Sequence, residues 1–86
     1  YIMPATDIKR GDLIKESGEY YYVTEVHNHN IITINAKNGE MKAIKPHRDV
    51  RGKKYYVKLT SFMDFLDFGG DSNLLKMMML MNKDKQ

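Results

Sequence analysis

Gly11-Asp12-Leu13-Ile14-Lys15-Glu16-Ser17-Gly18-Glu19-Tyr20-Tyr21-Tyr22-Val23-Thr24-Glu25-Val26 is the stretch from which the fold of this chain is read. It has the pattern of two strands meeting at a tight turn. Leu13 and Ile14 belong to the first arm, and Ser17-Gly18 supplies the turn, where glycine accepts a positive φ at little cost. Residues 20–26 make the second arm, dense in the aromatic and β-branched side chains that suit a pleated, half-buried surface. Tyr21 and Val23 share one face, and strict alternation sends Val26 to the other. One extra residue at Thr24 or Glu25, a β-bulge, returns Val26 to the core face and bends the strand. Sharply bent strands are what a small closed barrel needs.

Upstream, residues 1–10 form an arm whose Met3, Ala5 and Ile8 pin it to the barrel. Tyr1 and Ile2 precede Met3, which leaves open whether Met3 is the natural start. Downstream, the polar His27-Asn28-His29-Asn30 is a connection, and residues 31–36 are the next strand. Asn38-Gly39 is the dipeptide of a two-residue type I′ hairpin. That loop sets Ala36 opposite Met41 and Ile34 opposite Ala43. Ile32, Ile34, Ala36, Met41 and Ala43 then form the buried face, and Lys37, Glu40, Asn35 and Lys42 the polar one. Pro46 ends this strand, and residues 53–59 are a fifth, with Tyr55, Val57 and Leu59 on one side and Tyr56 on the other.

The period then changes to helical. Ser61 with Asp64 forms a variant capping box ahead of a short helix striped by Phe62, Phe65 and Leu66. Gly69-Gly70 ends it, and a second helix runs from Asn73 to about residue 82. The expected fold is mainly β, then α: a small five-stranded SH3-like barrel (11–59) behind the arm, with a C-terminal helical extension (60–82) and a short tail (83–86), all one domain.

At Gly11-Asp12-Leu13-Ile14, Gly18-Glu19-Tyr20-Tyr21 and Val23-Thr24-Glu25-Val26, the chain resembles the N-terminal barrel of elongation factor P and its relatives, SH3-like translation-protein barrels of the KOW class. In that family a modified lysine follows the second strand in a Gly-rich loop. Here His27-Asn28-His29-Asn30 stands in its place, with no lysine, so the family's translational role is not carried over. The resemblance implies a barrel of a kind that often touches RNA or protein. The Lys-, Asn- and Met-rich composition looks similar to that of accessory proteins of tailed bacteriophages.

The sequence has no cysteine and a formal charge of +3 over 86 residues. Disulfide and thiolate chemistry are thereby excluded, and the composition fits a reducing, cytoplasmic setting. No apolar run reaches membrane-spanning length and no secretory signal pattern opens the chain, so no membrane partner is expected. The densest basic segment is 45–54, with Lys45, Arg48, Arg51, Lys53 and Lys54 followed by Tyr55 and Tyr56. Lysine and arginine neutralise phosphates and release counterions, and a neighbouring aromatic such as Tyr56 stacks an unpaired base. Lys9, Arg10 and Lys42 extend this patch if they share its side.

His27, His29, His47 and Asp49 lack the spacing of a metal site, and no cofactor motif is present. Tyr20 and Tyr22 share a face, as a stacking platform or as cover for a seam. Asp64 and Asp67 have no companion base, and no nucleophile triad occurs, so the expected role is not enzymatic. The helix at 74–81 is apolar nearly all round, so Leu75, Met78, Met79 and Met81 pack either against the 62–68 helix of the same chain or at an interface with a second copy or a partner. Two functions follow. The first is a nucleic-acid-binding module (DNA or RNA) acting through 45–54, with the Met-rich helix dimerising it. The alternative is a protein-interaction or inhibitor module, phage-encoded in style, docking through the Phe- and Met-rich residues 62–81.

Overall fold

The computed structural model describes residues 1–59, and the helical extension expected at 60–82 lies outside them. Seven strands make up one antiparallel sheet: β1 (Ile2–Pro4), β2 (Leu13–Glu16), β3 (Glu19–Val26), β4 (Ile31–Asn35), β5 (Met41–Ile44), β6 (His47–Arg48) and β7 (Lys54–Lys58). Their order is β1-β7-β2-β3-β4-β5, with β6 paired to the free side of the β7 start. Among the described residues the single helical element is a 3-10 turn, Ala5–Asp7.

This corrects the expected five-stranded closed barrel. The arm contributes a strand of its own, because Met3 sits opposite Tyr56 and pairs β1 to β7. The segment after Pro46 contributes another, β6. Among the described residues the sheet stays open, since β1 and β5 are its two ends and no ladder joins them. Three-residue β1 carries Pro4, which has no N–H to offer a further strand. Curling replaces closure. Met3 from one edge strand and Ile44 from the other belong to the same buried cluster, together with Ile8, Ile14, Tyr21, Val23, Ile31 and Tyr56.

The β2–β3 hairpin forms as its sequence dictates. Glu16 pairs with Glu19 across a two-residue loop, and Ser17 and Gly18 both adopt positive φ, 51° and 78°. Two positive φ values in succession define a type I′ turn, whose twist matches the flanking strands. The bulge is present as well: the β3–β4 register shifts between Val23 and Glu25, leaving Thr24 extra and setting Val26 opposite Ile31. Thr24 turns its hydroxyl to the Ile32 carbonyl, 3.1 Å away.

The β4–β5 hairpin departs from expectation. Ile34 pairs with Met41 and Ile32 with Ala43, two positions off the type I′ register. Asn38 does not take a positive φ. Three competing hydrogen bonds explain the wider loop. The Ala36 amide donates to the Tyr20 carbonyl at 2.9 Å, prolonging the β3–β4 ladder and removing Ala36 from β5. Asn35 Oδ1 accepts from the Lys37 and Asn38 amides at 2.8 and 3.1 Å, an Asx-type turn. A shift of two preserves which residues share a face, yet the main core takes the opposite one, and of the five residues expected to be buried only Ala36 is. Ile31, Thr33 and Asn35 are buried, while Met41 and Ala43 are exposed. Thr33 can be buried because its hydroxyl donates to the Lys42 carbonyl at 2.8 Å. Asn35→Ala removes two acceptances at a buried side chain. We expect a loss of about 1 kcal/mol, read as a melting temperature several degrees lower.

The other face of the sheet carries a second cluster, in which Tyr20, Tyr22 and Ala36 are buried with Leu13, Ile34 and Leu59 packed against them. The two tyrosines therefore cover a seam and form no exposed platform. The floor of β2 is fixed by Asp12, buried, whose carboxylate accepts from the Lys9 amide at 3.0 Å and pairs with Lys58 Nζ at 3.1 Å. This tie joins the arm, β2 and β7.

Candidate nucleic-acid interface

The basic segment folds as the β6–β7 hairpin, with His47 opposite Tyr55 and Arg48 opposite Lys54. Its loop is built on Asp49. The Arg51 and Lys53 amides donate to Asp49 Oδ1 at 2.8 and 2.9 Å, and the Gly52 amide donates to the Asp49 carbonyl at 2.9 Å. Gly52 has φ 81°, the left-handed conformation that closes the loop. Asp49 is the one acid between residues 45 and 54. Its carboxylate accepts from backbone amides and makes no ion pair with a neighbouring side chain among the described residues.

Lys45, Arg48, Arg51, Lys53 and Lys54 are all exposed, and none is ion-paired among the described residues. Val50 stands at the loop tip, fully exposed. Tyr56 corrects the expectation placed on it. It is 3% exposed and belongs to the main core, because it faces Met3 across β1 and points to the curled side of the sheet. It cannot stack on a base. Tyr55 faces the other way, half-buried, with its ring 5.4 Å from that of His47 and tilted by 34°. His47 is anchored in turn by Glu16, Nε2 to Oε2 at 2.7 Å, which fastens β6 to the end of β2.

Burial raises the Tyr56 phenol above its ordinary value of 10.0. The folded chain then holds this proton to higher pH than the unfolded chain. Above about pH 10 the unfolded state ionises first, and stability falls as pH rises. Tyr56→Phe should remove that part of the alkaline slope, which denaturant unfolding of the two proteins from about pH 9 to 11 would reveal.

One cleft lies beside the hairpin and a second adjoins it. One, of about 690 Å³, is lined by the arm (Pro4, Ala5, Thr6, Ile8), the end of β3 (Val26, His27, Asn28) and the hairpin (Gly52, Lys53, Lys54). The other, of about 500 Å³, is lined by Ile8, Lys9, Arg10 and residues 24–27. They share Ile8, Val26 and His27. Lys9 and Arg10 are thus brought to the neighbourhood of the basic hairpin through the clefts. Lys42 is not, for its ammonium lies 5.3 Å from the centre of the Tyr21 ring.

Sequence reasoning missed Val26, His27 and Asn28 as lining residues. The bulge puts Val26 on the core face as expected, but at a strand end that leaves it 43% exposed. His27 lies 3.7 Å from Glu25, both side chains exposed. Among the described residues no group of three or more histidines and carboxylates could hold a metal ion, and no helix is long and apolar enough to cross a membrane. Leu75, Met78, Met79 and Met81, with Asp64 and Asp67, lie outside the described residues. No family model, curated protein or solved structure matches the chain.

Proposed function

We propose that this chain is a non-enzymatic nucleic-acid-binding module that contacts phosphates through the β6–β7 hairpin. The observation carrying this reading is a hairpin with four exposed cations, Arg48, Arg51, Lys53 and Lys54, and Lys45 just ahead of it, none ion-paired among the described residues, whose one acid is engaged by its own backbone. An ordered β-ribbon presents these cations without a backbone-ordering cost, and each neutralised phosphate releases condensed counterions.

The test is a binding titration with labelled single- and double-stranded DNA and RNA between about 50 and 200 mM salt. The expected result is micromolar affinity that falls steeply as salt rises. Absence of binding at the low end would overturn the proposal.

A further inference from the structure

The two clefts have a composition that phosphate contact alone does not call for. Their shared floor is apolar, made by Ile8 and the exposed side of Val26, with Pro4 and Ala5 alongside. Their rims are cationic, Lys53 and Lys54 at one end and Lys9 at the other, all exposed and without an ion pair among the described residues. One carboxylate intrudes, Glu25, and it stands beside the His27 ring. His27 and Asn28 supply a flat ring and an amide at the junction.

A duplex offers phosphates on its outside and keeps its bases stacked within, so an apolar floor would gain nothing from it. A single strand offers both surfaces at once. Its phosphates meet the lysines, its unstacked base faces cover Val26 and the histidine ring, and its base edges can exchange hydrogen bonds with an amide that both donates and accepts.

We propose that the two clefts, which share Ile8, Val26 and His27 and carry Lys53 and Lys54 at one end and Lys9 at the other, together form the track of a single-stranded nucleic acid. This rests on the nucleic-acid reading of the hairpin and adds to it the strandedness of the ligand and a second set of contacting residues, contributed by the arm and the end of β3. The occupant is fixed by charge complementarity at both ends and by the apolar floor between them.

Fluorescence anisotropy with labelled single strands of about 12 nucleotides, oligo-dT and oligo-rU, and with a mixed-sequence duplex of the same length tests the track. The intact chain should bind the single strands at least about tenfold tighter than the duplex, and Val26→Glu or Lys9→Glu should each weaken single-strand binding by about tenfold. Lys15→Glu, an exposed charge reversal at a residue that lines neither cleft, should change it less than about twofold. Lys9 is exposed, so its variant carries the test should Val26→Glu fail to fold. Single-strand binding that survives both cleft variants, yet is lost on reversing the hairpin cations, would overturn the track and leave the hairpin function standing. A preference for the duplex would do the same. No binding to any of the three probes would overturn both.

Discussion

Reversing Arg51, Lys53 and Lys54 to glutamate together should abolish measurable nucleic-acid binding at physiological salt while leaving the fold intact. All three side chains are exposed at one end of the β6–β7 hairpin, and none takes part in an ion pair among the described residues. The loop that carries them is shaped by the Asp49 carboxylate and by backbone amides, neither of which the substitutions touch. If each cation neutralises one phosphate of a single strand, three contacts contribute a slope of about 2 in log affinity against log salt. At about 0.1 M salt that amounts to on the order of a hundredfold in affinity, before the added repulsion of three carboxylates. The check is a salt series on the variant beside the unaltered chain, with circular dichroism to confirm the fold. An unchanged slope would mean that other residues meet the phosphates, and the hairpin would lose its assigned role.

The largest single effect on stability should come from Ile14→Ala. β2 lies between β7 and β3, and Ile14 faces Tyr21 on one side and Lys58 on the other. It is 0% exposed and belongs to the main core. Truncation removes three carbons from a site hydrogen-bonded on both flanks, which has little room to collapse. A cost of about 3 kcal/mol is expected, a large part of the ~5–15 kcal/mol that holds a small domain together. The melting temperature should fall by on the order of 15 °C. Ile14→Val should cost only about 1 kcal/mol. Ile2→Ala, at an exposed position of β1, should lie within about 0.5 kcal/mol of neutral. Chemical denaturation of the three variants orders them, and a small loss at Ile14 would contradict the placement of the core.

The β2–β3 hairpin was legible because its determinants are adjacent in the chain. Ser17-Gly18 tolerates two positive φ values, and the apolar and aromatic arms alternate in phase on either side. The bulge was legible for a related reason: Val23 and Val26 cannot share a face without an extra residue, and Thr24 is that residue. The basic segment could likewise be recognised, since clustering of cations is a property of composition.

The register of β4–β5 was not legible from the same kind of signal. Asn38-Gly39 favours a tight turn locally, but the Ala36 amide is taken by Tyr20, a residue sixteen positions earlier, and the Asn35 side chain holds the amides that follow it. The choice of core face was hidden for a similar reason. Isoleucines at 32 and 34 look more buried than Thr33 and Asn35 until the backbone partners that satisfy the polar pair, the Lys42 carbonyl and the Lys37 amide, are known.

By itself the sequence determined the strand-rich character, the first hairpin, its bulge and the exposed cationic segment, because each depends on residues within one turn or one ladder. Tertiary structure alone decided that Tyr56 is core and Tyr55 is not, that the sheet curls without closing among the described residues, and that Val26, His27 and Asn28 line a cleft with the arm and the hairpin. Those outcomes depend on which strands lie side by side. The ladder that joins Met3 to Tyr56 spans nearly the whole described chain, and its pairing is set by the summed burial of both faces, a quantity that no local pattern carries.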